Sequence, residues 1–519
     1  MNPSIDQLFA QWRALEAPER LANNVPDYSG AAQARKAQAL HDWQSRLDAI
    51  DTRSLPVEDQ VDLQLICAET RGALFNLQVL QPWARDPAFY KSLWTSQSDV
   101  PDHEGPTHHA AIELWQYRLP LGPDDAAQLT SALQGIAPLL TQARTNLVGN
   151  AADLWRAGIP ALEQQAQNLA QLASTTANTS GVALAQAIGQ AQQATVAFVE
   201  WLRQQAPLKT GSSGLGKENY SRYLREVHLV PLDWAAEETL LKRELARAHA
   251  SLRLEEHRNR DLPPLRPIAT ERAYAERVDA SVRKYMNFLR DRQILPLRDY
   301  MEPALRAQTG DFVAEQDRNF FAIARHYEPM VMWCHWYHWF EVAQAVHEPH
   351  AHLARRGALR YNIFDSRAEG LATAMEEMML HAGLYDDNPR AREVVWIMLA
   401  QRAARGLASL YAQANLMTLD QAQEYHMRHT PRGWMGAEPP LLQFEQHLYL
   451  RQPGYGTSYV TGKYLIEQLL ADYATKQGVN FCLSDFFAAI NASGIIPVSL
   501  LRWQLTGQDD DVRAMGLLD

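Results

Sequence analysis

Apolar residues three and four positions apart run through nearly every segment of this 519-residue chain. That one periodicity leaves little room for a sheet. Residues 31–50 (AAQARKAQALHDWQSRLDAI) and 57–79 (VEDQVDLQLICAETRGALFNLQV) carry it with strong helix formers between the apolar positions. It continues through 124–206 as about three helices, broken at Gly135, Pro138, Gly158, Pro160 and Gly181. Trp234–Arg258 and Glu271–Leu289 read as long amphipathic helices, their charges a solvated face of i, i+4 pairs, with Pro263, Pro264 and Pro267 marking the turn between them. Ala391–Gln413, Leu419–His429 and Val460–Gln477 follow as further helices. Strand signals are confined to short pieces near Leu208 and at Arg360–Phe364. The expected fold is mainly α: a large helical body, in two lobes with a cleft or as one continuous domain. Leu208–Gly216 (LKTGSSGLG) reads as the clearest flexible connection. It would divide an N-terminal helical region, 1–207, acting as a lid lobe, from a helical catalytic region, 217–519. A loop within one helical body is the equal alternative.

Composition narrows the function classes. A net charge of -11 argues against nucleic acid as a partner. Residues 1–30 lack a basic segment followed by an apolar one, and no run of eighteen apolar residues occurs, so neither a signal peptide nor a membrane span is expected. Three widely spaced cysteines, Cys67, Cys334 and Cys482, fit a reduced, cytoplasmic setting.

The chemistry concentrates in Met332–Glu377. Five of the seventeen histidines lie there: His335, His338, His347, His350 and His352. The centre of the stretch, His347-Glu348-Pro349-His350-Ala351-His352, has the form H-E-x-x-x-H. Two imidazoles on zinc, a carboxylate after the first as general base, and a later Glu as third ligand make a hydrolytic site. Histidines five apart stand about 140° apart on an ideal helix, so His347 and His352 converge only if the helix is overwound or bulged. Pro349 supplies a cause for such a bulge. His347 with His350, and His335 with His338, remain alternative pairs one turn apart. Trp333, Trp336 and Trp339 recur beside the second pair, a stripe that fits a helix packed into the core. Glu369 lies seventeen residues after His352, near the expected start of a helix. That distance allows a reversal and a return.

These residues carry a family resemblance. Asp59–Leu77, Trp83–Trp94, Gly216–Leu224, Glu369-Gly370-Leu371-Ala372, Gly383-Leu384-Tyr385-Asp386, Arg451-Gln452-Pro453-Gly454 with Ser458-Tyr459 and Gly462-Lys463, and Phe486–Leu500 resemble, in order and spacing, segments of the DUF885 family. Its members are helical proteins similar to zinc metallopeptidases of the gluzincin type. The family's metal motif is usually H-E-A-x-P-G-H-H. Here the spacing is one residue shorter and the glycine is missing. The D-x-G-x-H expected after the R-a-a-R-l helix reads Ser409-Leu410-Tyr411-Ala412-Gln413, and the tryptophan of E-G-W-A is Leu371.

The resemblance and the residue chemistry together imply His347, His352 and Glu369 as metal ligands, with His350, His335 and His338 as alternates. Glu348 is then the general base, Tyr459 an oxyanion donor, and Arg451 or Lys463 the partner of a substrate carboxylate. The expected function is a zinc-dependent hydrolase of an amide bond in a short peptide or peptide-like small molecule. The alternatives are lyase or oxidative chemistry on the same scaffold, with iron or no metal, and a non-catalytic binding protein. A metal held by His335, His338 and Glu341, or no metal, would favour chemistry other than peptide hydrolysis.

Overall fold

The computed structural model describes residues 4–21, 25–97, 112–177, 181–357, 359–362, 365–436 and 439–518. The chain opens with α1 (Ile5–Glu16), α2 (Gly30–Asp48) and α3 (Val57–Phe75). Four helices follow where about three were expected: α4 (Pro123–Gln134), α5 (Ile136–Asn146), α6 (Ala152–Thr176) and α7 (Val182–Gln205). Pro160 does not break the run. It sits inside α6. The second half contains α8 (Trp234–Arg258), α9 (Glu271–Asp291), α10 (Pro329–His335), α11 (Tyr337–His347), α12 (Asp365–His381) and α13 (Ala391–Gln413). It continues with α14 (Leu419–His429), α15 (Pro439–Arg451), α16 (Tyr455–Gln477), α17 (Leu483–Ala492) and α18 (Val498–Thr506), and a short helix at Asp510–Ala514 closes it. Side-chain caps fix several starts: Asp233 accepts from the Ala236 N–H, and Thr418 and Gln421 form a capping box on α14.

Among the described residues the sheet is one two-stranded parallel pair, β1 (Leu93–Trp94) with β2 (Ile112–Glu113). The strands expected near Leu208 and Arg360 do not form: 206–208 is a 3₁₀ turn, and 359–362 is irregular. Phe364 lies outside the described residues.

Two apolar cores result. One gathers α1–α3 with α8–α13 and α16–α18. The other gathers Val25, Tyr28 and apolar side chains between Trp83 and Leu202, together with Ala408, Ala412, Leu419, Ala422 and Leu450 from the second half. The division therefore does not fall at Leu208–Gly216, because α1–α3 pack with the C-terminal helices. Nor is that segment loose. Asn150 Oδ1 accepts from the Thr210 and Gly211 N–H groups (2.7 and 2.9 Å), Ser213 Oγ accepts from the Asp153 N–H (3.0 Å), and Gly216 N–H donates to the Gln413 carbonyl (2.8 Å). Glycine and serine there serve close approach. A Cβ on Gly211 would lie 2.2 Å from the Asn150 carbonyl oxygen.

α12, which carries Glu369, crosses α16 at glycines. A Cβ on Gly370 of α12 would lie 2.4 Å from Gly462 of α16, and one on Gly462 would lie 2.0 Å from the Ser366 carbonyl oxygen. This contact brings Glu369 up against the first turns of α16.

Candidate metal centre

Backbone geometry sets the histidines. α10 ends at His335, Trp336 leaves the helical region (φ -75°, ψ 22°), and α11 begins at Tyr337. The break turns the His335 and His338 rings to 89° with centroids 5.1 Å apart, so both imidazoles face the same carboxylate. His338 Nε2 lies 3.1 Å and His335 Nε2 3.6 Å from Glu369 Oε2. All three residues are buried, and their ligand atoms lie within 4.8 Å of one another.

The surroundings fix each group. Glu369 Oε1 accepts from the Tyr455 hydroxyl (2.8 Å) and the Tyr459 hydroxyl (2.6 Å), which leaves Oε2 for the imidazoles. His335 Nδ1 lies 3.1 Å from Glu376 Oε1. Arg402 clasps Glu376 with both ends of its fork (2.7 and 2.9 Å). Arg405 holds Glu445 (2.8 Å) and stacks its guanidinium 3.9 Å over the Tyr459 ring.

Electrostatics follow from burial and from these partners. Burial alone would raise the Glu369 carboxyl, but the two imidazoles and the Tyr459 hydroxyl hold it far below the usual carboxylate range. Burial, and then the Arg402 charge, lower His335, favouring neutral imidazole. Burial and the Glu369 carboxylate push the Tyr459 phenol far up, so it stays a proton donor.

With Nδ1 protonated beside the Glu376 carboxylate, a neutral His335 turns its Nε2 lone pair toward Glu369. Lone pair then faces carboxylate, which is repulsive unless a cation lies between them. Two ligands on a tetrahedral ion at ~2.1 Å stand roughly 3.4 Å apart, close to the 3.1 and 3.6 Å found here. The carboxylate behind His335 is the outer partner that metal-bound histidines ordinarily carry. The donor set fits a divalent metal.

The H-E-x-x-x-H residues go elsewhere. α11 ends at His347, because the residue before a proline is steered out of the helical region and Glu348 sits at φ -132°, ψ 60°. Pro349 stops the helix where a bulge was expected. His347 is exposed and stacks on Tyr300 (4.7 Å). Glu348 is 41% exposed and pairs with Arg298 (2.8 Å). His352 faces Asp62 (3.7 Å), and His350 Nδ1 accepts from the His352 N–H. The structure does not bring His347, Glu348 or His352 to Glu369. Of the expected ligands and their alternates, it brings together His335, His338 and Glu369.

The other predicted residues have internal partners. Tyr459 donates to Glu369 itself. Arg451 is buried on Asp86 (2.5 Å). Lys463 is buried among Glu377 (3.0 Å), Glu467 and Glu244. Sequence reasoning missed Glu376, Arg402, Arg405 and Tyr455. Two of them had a signal: Glu376 lies two helical turns after Glu369, and Tyr455 one turn before Tyr459, so each pair shares a helix face. The tryptophan stripe packs as expected at Trp333, which is buried and donates to Ser281 Oγ (2.7 Å).

The profile of the bacterial proteins of unknown function called DUF885 matches residues 14–328 and 338–505. The chain belongs to the DUF885 family. The match is interrupted at 329–337, the segment that carries His335. No curated protein matches the sequence. Among solved structures, a candidate lipoprotein of unknown function from Shewanella oneidensis is similar at 14% identity and a TM-score of 0.71, over 98% of this chain and all of that one. A candidate lipoprotein from Colwellia psychrerythraea is similar at 13% identity and a TM-score of 0.64, over 98% of this chain and 97% of that one. At such identities the likeness establishes the fold. No described helix is long and apolar enough to cross a membrane.

Proposed function

We propose that this DUF885 protein is a metal-dependent hydrolase of an amide bond in a short peptide or peptide-like small molecule. The observation that carries the reading is the convergence of His335 Nε2, His338 Nε2 and Glu369 Oε2, with the remaining Glu369 oxygen already bound by two phenols. His335, His338 and Glu369 would hold zinc. Bound there, the ion would lower the pKa of a water to ~7 and polarise the scissile carbonyl.

The chain's own residues prepare that chemistry. Glu376, clasped by Arg402, keeps the His335 proton on Nδ1. Tyr455 and Tyr459 keep their protons on Oη against Glu369 and hold the carboxylate in one orientation. Arg405, stacked on Tyr459 and paired with Glu445, fixes the ring whose hydroxyl holds Glu369. The gluzincin likeness that DUF885 membership suggests agrees with a His, His, Glu set.

One observation favours a second reading. Trp336 stands where the general-base glutamate follows the first histidine in a zinc peptidase, and a set of two histidines and a carboxylate also suits iron(II). Oxidative or lyase chemistry on a small molecule is therefore the alternative.

Metal content of the purified protein decides between them. One equivalent of zinc, lost in His335→Ala and in Glu369→Gln and accompanied by chelator-sensitive cleavage of a dipeptide panel, supports the hydrolase. Glu376→Gln should keep the ligand set and weaken metal affinity about 10–100-fold. Iron at one equivalent supports the alternative. No bound metal after purification without chelator sinks the hydrolase and the iron reading, and leaves acid–base lyase chemistry.

A further inference from the structure

An open cleft is lined in part by α11 and α12, the helices that carry His338 and Glu369. Glu341 of α11 and Arg367 of α12 line it, with Gln344, Asn491 and Arg356. Glu341 is one turn beyond His338, and residues three apart on a helix have Cβ atoms about 5–6 Å apart. Arg367 is two residues before Glu369. The Glu341–Arg367 pair is thus what joins the cleft to the helices carrying His338 and Glu369.

The charges in the cleft leave one sign unmatched. Glu348 is paired with Arg298, and Arg355 is paired with Asp62 outside the cleft. Arg367 Nη1 stands 2.6 Å from Glu341. Arg356 has backbone carbonyls as partners, donating to those of His350 and Ala351, and no carboxylate. The surplus is positive.

Arg367 is 1% exposed, and its Nε has no hydrogen-bond acceptor. A buried guanidinium N–H without an acceptor is costly, because its lost hydration is not replaced. Such an edge is shaped for the two oxygens of a carboxylate. The Asn491 side-chain oxygen is taken by the Tyr337 hydroxyl (2.7 Å), so its amide N–H groups are what it can offer a ligand.

We propose that this cleft is the subsite for a carboxylate group of the substrate, received by the Nε edge of Arg367 and by Arg356. The substrate class is a small amide-bearing molecule with a free carboxylate, such as a dipeptide or an N-acylated amino acid. The cleft's binding of a carboxylate stands on its own lining. Only the placement of the reacting bond rests on the hydrolase reading.

Binding of N-acetylglycine and of N-acetylglycinamide to the full chain, each with the metal present and after its removal by chelator, tests this. The acid should bind about tenfold more tightly than the amide or better, in both states. Arg356→Gln should weaken the acid about tenfold and leave the amide unchanged. Arg367→Gln alone would strand Glu341, so the paired variant Glu341→Gln/Arg367→Gln is the second test. It should abolish the preference for the acid. Equal binding of acid and amide by the parent protein overturns the proposal, as does an acid preference that survives in both variants. Preference in a protein that binds no metal keeps the subsite and removes the hydrolase. A bound metal without preference does the reverse.

Discussion

Glu369 and Glu237 flank the first turns of α16 from opposite sides, and their surroundings act on them in opposite directions. Glu369 takes Tyr455 and Tyr459 and has imidazoles beside it. Glu237 takes the hydroxyls of Tyr220 (2.7 Å), Thr457 (3.1 Å) and Thr461 (2.9 Å) and has no cation. Burial therefore raises Glu237 to about 7, and burial with nearby Glu16 raises Glu69 to about 8. An unfolded glutamate releases its proton near 4.5, so between about 4.5 and 8 the folded state binds more protons than the unfolded one. Stability falls as pH rises through that window. For Glu237 alone the loss is on the order of 3 kcal/mol, at about 1.4 kcal/mol per pKa unit. Glu237→Gln should flatten the pH dependence of urea stability between pH 5 and 7 and leave the variant no weaker than its parent at pH 8. A variant weakened equally at every pH would show that Glu237 works as an ionised acceptor instead. The sequence marked Glu237 only as one charge on an amphipathic helix. Its burial depends on α16 crossing above it, a contact that no local pattern encodes.

Helices were legible where their periodicity was strong, and Trp234–Arg258, Ala391–Gln413 and Leu419–His429 form over the expected residues. The candidate site was legible as a stretch, but not as a ligand set. The H-E-x-x-x-H motif reads as a helix bulged by Pro349, whereas a proline's steric effect on the residue before it ends α11 at His347. The pair His335 and His338 looked like an alternate because their convergence on Glu369 needs a break at Trp336 and a helix contact a whole element away. That contact is made by Gly370 and Gly462. Adding a methyl at Gly462 raises intrinsic helix propensity by up to about 1 kcal/mol, but drives a Cβ to within 2.0 Å of the Ser366 backbone oxygen. Overpacking of that kind costs about 1–3 kcal/mol, and backbone yields less readily than a side chain. Gly462→Ala should therefore lower urea stability by roughly 1–3 kcal/mol and weaken metal binding, because Glu369 moves away from Tyr455 and Tyr459. Gly189→Ala, in α7 with nothing within 4 Å of the added Cβ, should do neither. Unchanged metal affinity in a destabilised Gly462→Ala would show that the crossing supports the fold and not the centre.

At the scale of the molecule, the two apolar cores share elements instead of a linker. α13 gives Ala403, Leu407 and Leu410 to one core and Ala408 and Ala412 to the other, as neighbouring faces of a single helix. Trp234 Nε1 donates to the Leu410 carbonyl (3.0 Å), and Gln413 donates to the Tyr449 and Leu450 carbonyls (2.9 Å each), so the end of this helix is tied on both sides. The segment 208–216, which glycine and serine content marks as flexible, is bonded to Asn150, Asp153 and Gln413 and adds a second tie. Melting the unit built on residues 83–202 would strip apolar cover from Ala408, Ala412 and Leu450, and would expose the helix that also carries Arg402 and Arg405. The cores should therefore lose structure together. In scanning calorimetry the full chain should give one transition with calorimetric and van't Hoff enthalpies in agreement, the test for all-or-none unfolding. Brief proteolysis of the native protein should spare 208–216. Two resolved transitions, or rapid cutting in that segment to give two stable halves, would show that the first unit is a separate lobe hinged where the glycines lie. If the proposed metal is bound at His335, His338 and Glu369, chelation should lower the single transition as a whole, since Glu369, Glu376 and Arg402 belong to the same cooperative body.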